Sequence, residues 1–236
     1  MSRVVISQPM YFPWAGFMAQ MALADVMIWL DDAQFSKGSF TNRVQVKTQS
    51  GSKWMSVPLQ NKGNRTRIRD LKLADPSIVE RHRSLLWASL NSGEQYAEAR
   101  KVFDQAWQQP DLVDVLISSA EELSTAIGLP PRTSLRSSDL NVCGRGSERV
   151  MKLVQAVGGQ SYITGHGARN YLDHERFEDA GIAVEYMKYQ TLPWPQAHGA
   201  FTPYVTALDL VAQVPRAERS AHLAPATENW KTFVDA

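Results

Sequence analysis

The first thirty residues carry the pattern that most restricts what this chain can fold into. A β-branched run, Val4-Val5-Ile6, ends at Gln8-Pro9, residues 15–24 are rich in Ala, Met and Leu, and a second apolar run spans Val26 to Leu30. Short apolar runs bounded by turn residues are typical of buried strands, and the stretch between them predicts a helix. This order opens a βαβ unit, which implies a parallel sheet with ligands beyond the carboxyl ends of its strands.

The rest of the chain predicts a hairpin, a helical middle and a return to the α/β pattern. Alternation over residues 42–58, around Gln49-Ser50-Gly51-Ser52, indicates a β-hairpin. Residues 76–90, 94–107 and 111–127 predict helices. Beyond Pro131, strands at 161–164 and 183–189 alternate with helices at 147–157 and 174–180. We therefore predict an α/β fold, a Rossmann-like sheet with a helical middle segment and a β-hairpin insertion. Residues 1–214 form a single domain in this interpretation, and residues 215–236 form a surface tail that docks by its aromatic end at Trp230.

Composition excludes several classes of protein. Lys+Arg total 25 against 24 Asp+Glu, and the single cysteine is Cys143. This balance gives no specific nucleic-acid signal, and one cysteine cannot supply a disulfide framework or a thiolate-rich zinc site. The uncharged amino-terminal stretch is broken by Pro9 and Pro13, so we predict no membrane insertion and a cytoplasmic location. The motifs GxGxxG, P-loop, HExxH, GxSxG and HxGH are absent, which disfavours nicotinamide dehydrogenases, P-loop kinases and serine hydrolases.

The densest chemical feature is the loop of residues 8–17, in which four aromatic residues and two prolines occupy ten positions. Proline stiffens such a loop, and flat, partly polar rings can hold a sugar, a base or an acyl group. Gln8, Tyr11 and Trp14 are therefore candidate substrate-binding residues. The alternative is that the aromatic residues only cover the end of the core, which fits the phenylalanines best.

Two adjacent carboxylates, Asp31 and Asp32, follow the second strand directly. Gln34, Lys37 and Asn42-Arg43 come within the next eleven residues. A carboxylate near a cationic side chain can act as a general base, orient an amine nucleophile or hold Mg²⁺ against phosphates. The alternative is an Asx turn with an ordinary ion pair, which is equally compatible with either aspartate alone.

The segment from Lys37 to Lys72 has nine basic residues and one acidic residue, Asp70. Such an excess could receive a pyrophosphate, a phosphopantetheine carrier or an RNA backbone. Asn42-Arg43, at the start of a strand, is the better candidate for binding phosphate. A solvated hairpin face accounts for Lys47, Lys53 and Lys62.

A second candidate constellation brackets His166 with Gly165 and Gly167 at the end of a predicted strand. Glycines let backbone amides approach a ligand, and a histidine that projects from such a turn suits general acid–base work. Arg169 and Asn170 could contact an anionic or hydroxyl-rich ligand. The alternative is a structural or solvated histidine.

These motifs resemble the WbqC-like proteins of bacteria over about residues 4–211. The resemblance rests on Gln8-Pro9-x-Tyr11-Phe12-Pro13-Trp14-x-Gly16-Phe17, Asp31-Asp32-x-Gln34-Phe35, Asn42-Arg43, Trp54, Ser137-Ser138-Asp139-Leu140, Glu148-Arg149, Gln196 and Asp209-Leu210, among others. Departures from the family pattern lie at Pro193-Trp194-Pro195-Gln196, Val205-Thr206 and Val214-Pro215. Proteins of this kind are met in gene clusters for O-antigen, other surface polysaccharides and some secondary metabolites.

The resemblance implies a transferase that places a glycine-like acyl or aminoacyl unit on an amino sugar or related amine, forming an amide. Asp32 or His166 would take the proton, and the amides around Gly165 to Gly167 together with Asn42 would hold the oxyanion. Arg43 and Arg169 would hold phosphate, and Tyr11 and Trp14 would stack on the sugar or base. The candidate catalytic residues are Asp31, Asp32, Lys37 and His166, and the candidate substrate-binding residues are Gln8, Tyr11, Trp14, Gln34, Asn42, Arg43, Gly165, Gly167, Arg169, Asn170 and Gln196.

No cofactor and no metal site is implied. The expected partners are a small-molecule substrate such as a nucleotide sugar, and an acyl-carrier protein or aminoacyl donor. Two alternatives stay open at this point. One is a Rossmann-like, nucleotide-using ligase or nucleotidylyltransferase, and the other is a non-catalytic protein that binds carriers or sugars.

Overall fold

A computed structural model describes residues 2–60 and 66–235. Over these residues the chain forms strands and helices in the following order, separated by short 3-10 turns at Ile68–Asp70, His166–Asn170 and Arg219–Leu223: β1 (Arg3–Ser7), α1 (Ala15–Ala22), β2 (Val26–Trp29), β3 (Arg43–Thr48), β4 (Gly51–Ser56), α2 (Ile78–Leu90), α3 (Tyr96–Ala106), α4 (Leu112–Ile127), β5 (Thr133–Arg136), α5 (Gly146–Ala156), β6 (Ser161–Thr164), α6 (His174–Asp179), β7 (Ala183–Lys188), α7 (Leu208–Gln213), β8 (Ala226–Asn229) and α8 (Trp230–Asp235).

The main sheet has six strands in the order β5-β2-β1-β6-β7-β8. The first five are parallel and β8 is antiparallel to β7. Numbered along the chain, the parallel strands run 3-2-1-4-5, the order of a doubly wound Rossmann sheet, so the predicted fold class is confirmed. The order reverses between β1 and β6, and the carboxyl ends of these two strands therefore bound the crevice in which such folds bind ligands.

The sheet has a hydrophobic core on each face. Alternate residues of its strands belong to different cores, because successive side chains of a strand point to opposite faces. On one face, Val5, Trp29 and Ile163 pack with α1, the helical middle segment α2–α4, α7 and the inner side of the hairpin. On the other face, Val4 and Tyr162 pack with α5, α6 and α8. Apolar runs without polar alternation are what a sheet covered on both faces requires.

The hairpin β3–β4 forms a separate two-stranded sheet, as predicted. The interpretation of Lys47 as a solvated residue is wrong, because this side chain is only 5% exposed. Its ammonium donates to the carbonyls of Gly199 and Ala200 at 2.8 and 2.7 Å, so the loop that carries them covers the outer side of β3. Lys53 is exposed as predicted, and Lys62 lies outside the described residues.

The segment predicted as a tail contributes to the sheet. It supplies the edge strand β8 and the helix α8, whose Trp230 stacks on His174 at 4.7 Å between ring centroids. Arg219, fully buried, donates to the carbonyls of Ala126, Val211 and Val214 and pairs with Glu98 at 2.7 Å. A buried guanidinium with all these acceptors ties this segment to the ends of the neighbouring helices.

Within the described residues, no helix is both long enough and apolar enough to cross a membrane.

Candidate functional site

Three of the predicted loops meet at one edge of the sheet. Val5 pairs with Ile163 in the β1–β6 ladder, and continuing this register places Gln8 opposite His166. On the other side of β1, the Leu30 amide donates to the Ser7 carbonyl at 2.8 Å, which aligns the start of the Asp31 loop with the same edge. The half-buried Gln8 therefore lies between the aspartates and the histidine, in the crevice where the strand order reverses.

Trp14 closes the amino terminus of α1. A Cβ atom on Gly16 would lie 2.2 Å from the Trp14 ring, so the indole rests directly on the first turn of the helix. In dinucleotide-binding Rossmann folds the pyrophosphate occupies that place. Because Trp14 covers the amino terminus of α1, this helix has no use for a GxGxxG motif. The position that would bind a phosphate presents the face of the Trp14 ring instead.

An aromatic cluster of Trp14, Tyr189, Tyr204 and His166 lines the crevice. The Trp14 ring centroid lies 5.2 Å from that of Tyr189 and 5.9 Å from that of Tyr204, which is 63% exposed. Tyr189 also contacts His166 at 5.2 Å, and burial raises its pKa to about 12, so its hydroxyl stays protonated at neutral pH.

The two glycines beside His166 differ in what they make room for. A Cβ atom on Gly165 would lie 2.6 Å from the Tyr189 hydroxyl, whereas a Cβ on Gly167 would meet nothing within 4 Å. Gly165 thus permits the close approach of Tyr189, and Gly167 lies open at the surface.

His166 is held by one ring nitrogen. Its Nε2 lies 2.8 Å from the Met187 carbonyl, which can only accept, so we assign the proton to Nε2. A neutral ring then keeps a lone pair on Nδ1. The ring lies between Tyr189 from one face of the sheet and Phe233 of α8, 4.9 Å away, from the other. Fixed orientation and a basic Nδ1 are what a general base requires.

Arg169 and Asn170 follow His166 in the same 3-10 turn, and both are exposed. The Arg169 guanidinium donates to the Val234 carbonyl at 2.6 Å and lies 5.6 Å from the Phe233 ring. In this arrangement Arg169 is occupied by α8, so it would have to leave that contact to hold a phosphate.

The paired aspartates are bound by side chains from the β5–α5 segment. Asp31, 1% exposed, accepts from the Ser138 hydroxyl at 2.7 Å and from the Ser138 amide at 3.1 Å. Asp32 accepts from Ser137 and from Arg149, each at 2.6 Å. Burial alone would raise the pKa of Asp32, but these hydrogen bonds outweigh it and hold the pKa below its usual value.

Asp32 and His166 have different hydrogen-bond partners: Asp32 accepts from Ser137 and Arg149, and His166 donates to the Met187 carbonyl. The strands that precede them, β2 and β6, lie on either side of β1, so their axes are about 10 Å apart. A carboxylate that is paired with a guanidinium is a weak base, whereas His166 Nδ1 has no hydrogen-bond partner among the described residues. The geometry therefore favours His166 for taking a proton and favours Asp32 for fixing the loop after β2.

A concavity, here called the basic cleft, lies between the Asp31 loop, the hairpin and α2. It has a volume of about 550 Å³ and is lined by Phe35, Lys37, Gly38, Asn42, Arg43, Ser56, Val57, Pro58, Leu59, Ile78 and Arg81. The Asn42 side-chain amide donates one N–H to the Val57 carbonyl at 2.9 Å, which fixes it on the hairpin, and its second N–H is left as a donor. The structure brings Lys37, Asn42 and Arg43 together here.

The basic cleft is joined to the crevice through the aromatic loop. The Tyr11 amide donates to the Phe40 carbonyl at 3.1 Å, beside the cleft, and Trp14 pairs with Thr206, whose amide donates to the Gln45 carbonyl of β3 at 2.9 Å. Asn42 and Arg43, predicted to bind phosphate, and the predicted His166 therefore lie on either side of the loop of residues 8–17.

Three predicted substrate-binding residues line neither the crevice nor the basic cleft as the structure describes them. Tyr11 is fully buried, with its hydroxyl 2.9 Å from His82 Nδ1 and 3.1 Å from Trp107 Nε1, so it offers no face for stacking. Gln34 is exposed and pairs with Arg67. Gln196 accepts from the ammonium of Lys47 at 3.2 Å, within the loop that covers β3.

Several residues of the aromatic cluster and of the basic cleft were not among the candidates. Tyr189 ends the strand predicted at 183–189, which is a weak signal, and Tyr204 lies in no predicted element. Arg81 lies within a helix and gave none. Among the described residues, no group of three or more His, Cys, Asp or Glu side chains is placed to hold a metal ion.

The fold and the site define a Rossmann-like α/β protein whose switch-point crevice is lined by aromatic rings and a histidine. The chain belongs to the WbqC-like protein family, whose family model matches residues 8–221. It is similar to the uncharacterized protein Rv1507c of Mycobacterium tuberculosis, with 27% identity over 219 residues, 91% of this chain and 94% of that protein. No solved structure matches the chain.

Proposed function

We propose that this protein is an acyl- or aminoacyltransferase that forms an amide on the amine of an amino sugar or a related amine, in polysaccharide or secondary-metabolite biosynthesis. The observation that carries the proposal is the fixed imidazole of His166, whose Nδ1 is left basic at the switch point of the sheet. The WbqC-like family resemblance supports the same reaction class.

The reaction needs a neutral amine, a base and donors for the oxyanion. The amine nitrogen attacks the acyl carbonyl of a thioester, an oxygen ester or an acyl adenylate, and His166 Nδ1 takes the proton that the nitrogen loses. The new C–N bond is retained and the C–S or C–O bond to the donor breaks. The proton passes from His166 to the departing thiolate or alkoxide, or to solvent when AMP leaves from an adenylate. The protonated Tyr189 hydroxyl, which lies over Gly165, is placed to donate to the oxyanion.

The aromatic rings suit a sugar acceptor. Trp14 is half-buried and Tyr204 is mostly exposed, so each presents apolar surface at the crevice. Pyranose rings bind such faces through their C–H groups, with Gln8 beside them to meet a hydroxyl. Of the predicted catalytic residues, His166 acts on the amine, Asp31 and Asp32 position the loop after β2, and Lys37 attracts anionic groups.

A nucleotide-using ligase of Rossmann-like fold is less well supported. The strand order fits this class, but Trp14 covers the helix terminus that would bind phosphates, and the HxGH motif is absent. Pyrophosphate release from ATP in the presence of an amine and a free acid would favour the ligase over the transferase.

Mass spectrometry of the acceptor tests the proposal. Nucleotide-linked 4-amino-dideoxy sugars are incubated with the protein and with a carrier-bound thioester, an aminoacyl adenylate or an aminoacyl-tRNA. We expect one donor to add the mass of its acyl group to the sugar, at a rate strongly reduced by His166→Ala. If no donor acylates any of the amino sugars, the transferase proposal fails, and sugar binding without turnover would favour a non-catalytic role.

A further inference from the structure

Among the residues that the structure describes, the lining of the basic cleft is positive and contains no carboxylate. Three cations contribute to it from three places in the fold: Lys37 from the Asp31 loop, Arg43 from β3 and Arg81 from α2. Arg81 pairs with Asp75 at 2.7 Å, but both side chains are exposed and Asp75 does not line the cleft. Convergence of cations from separate elements, without acidic residues between them, is typical of sites for anions.

Arg43 is held in place before any ligand arrives. Its guanidinium lies 4.2 Å from the Trp54 ring centroid and donates through Nη2 to the Gly38 carbonyl at 2.5 Å. Its Nε is buried and has no hydrogen-bond partner within residues 2–60 and 66–235. A stacked guanidinium loses little freedom when an anion binds, and it keeps donors for phosphate oxygens.

The floor of the cleft is apolar, whereas its rim carries the three cations. Phe35, Val57, Leu59 and Ile78 are buried apolar residues in the lining, and Pro58 lies among them. Phe40 and Trp54, the ring on which Arg43 stacks, are 41% and 44% exposed, with ring centroids 6.0 Å apart. A volume of about 550 Å³ exceeds what a free phosphate fills, so the site suits an anionic group that is attached to an organic body.

We propose that the basic cleft binds a phosphate ester, with the phosphate on Lys37, Arg43 and Arg81 and the organic part on the apolar floor. This inference deepens the proposed function, on which it rests for its link to turnover, because it assigns a phosphorylated handle to one of the two substrates. The handle is separate from the reacting amine or acyl group, which lies across the aromatic loop at His166.

Two sources can supply this chemistry, and they differ in the body that the phosphate carries. The diphosphate of a nucleotide sugar would bring the acceptor amine, and the 4′-phosphopantetheine arm of a carrier protein would bring the acyl donor. Isothermal titration with UDP and with 4′-phosphopantetheine distinguishes them. Uridine, pantetheine and inorganic phosphate are the matched probes that lack either the phosphate or the organic body.

The inference predicts that one phosphorylated probe binds at least tenfold more tightly than its unphosphorylated counterpart and than inorganic phosphate. Binding should weaken as salt is raised, because the contacts are ionic. The double variant Lys37→Ala/Arg81→Ala, in which two exposed side chains are shortened, should weaken binding at least tenfold. Lys53→Ala, an exposed lysine on the same hairpin that does not line the cleft, should leave binding within twofold.

Equal binding of phosphorylated and unphosphorylated probes would overturn the inference, as would unchanged affinity in the double variant when circular dichroism shows that it is folded. If inorganic phosphate binds as tightly as the esters, the apolar floor has no role in binding, and the inference is overturned as well. All these titrations are done without an acyl donor, so their outcome is independent of whether the protein transfers an acyl group.

Discussion

At the scale of single residues, the crevice depends on small side chains that let large ones approach. Gly16 makes room for the Trp14 ring, and Gly165 makes room for the Tyr189 hydroxyl. Neither glycine has a positive φ, so both are needed for space. The Trp14-x-Gly16 pair of the sequence is thereby explained: the indole folds back over the helix that it begins.

Gly16→Ala is expected to destabilise the protein, because the new Cβ would overlap the Trp14 ring and push it out of the aromatic cluster. We expect a loss of about 1–3 kcal/mol in the free energy of unfolding, measured with urea. Gly167→Ala is the matched control, since its Cβ has open space, and should change the value by less than about 0.5 kcal/mol. Equal stability of the two variants would contradict the packing of Trp14 on α1.

Sequence reasoning located part of the site and failed where burial decides a residue's role. The βαβ pattern predicted that the Gln8 and Asp31 loops lie at one edge, because residues that follow parallel strands meet there, but the place of His166 relative to them came only from the structure. Sequence reasoning assigned Tyr11 to stacking and Lys47 to solvent, and both are buried by segments far away in the chain, α2 and the loop at 196–200. Such contacts have no local signature.

At the scale of elements, the carboxyl-terminal segment β8–α8 completes one face of the sheet. Phe233 stacks on Tyr186 at 4.0 Å and lies against His166 at 4.9 Å. The strands β5 and β8 were not predicted because both are polar edge strands without an apolar run, and the short helix α7 was not predicted either. The inner strands β1, β2, β6 and β7 carry more apolar or aromatic side chains and were predicted.

Phe233→Ala should remove the ring that covers Tyr186 and one side of His166. We expect the free energy of unfolding to fall by about 1–3 kcal/mol, because an aromatic pair and buried apolar area are lost. Phe40→Ala, which shortens a ring that is 41% exposed, should cost less than about 0.5 kcal/mol. If urea unfolding gives the same small change for both, α8 does not hold the His166 segment.

At the scale of the whole molecule, two buried groups give opposite responses to acid. Burial lowers the pKa of His82 from 6.5 to about 4, and burial raises the pKa of Asp209 from 3.8 to about 6. Between pH 6.5 and 4 the unfolded chain protonates His82 while the folded protein does not, so stability is lost. As the pH falls over nearly the same range, the folded protein protonates Asp209 while the unfolded chain does not, so stability is gained.

Each of these contributions amounts to about 3 kcal/mol at most, and they offset each other. Asp209→Asn removes the gain, so its free energy of unfolding should fall by about 2–3 kcal/mol more than that of the wild type between pH 6.5 and pH 4. His82→Gln should show the reverse. Urea unfolding at the two pH values measures the differences, and parallel behaviour of all three proteins would contradict the assignment of these two groups.

In the proposed reaction, His166 takes the proton from the acceptor amine. The most direct test is the initial rate of amide formation by His166→Gln, measured by mass spectrometry with the donor and acceptor that give product. A glutamine amide can keep the donor to the Met187 carbonyl, but it has no basic nitrogen. His174→Gln is the control, because His174 contacts Tyr186 and Trp230 outside the crevice. We expect the rate of His166→Gln to fall by about 10²-fold or more, while His174→Gln stays within a few-fold of the wild type. Equal rates for the two variants would contradict the claim.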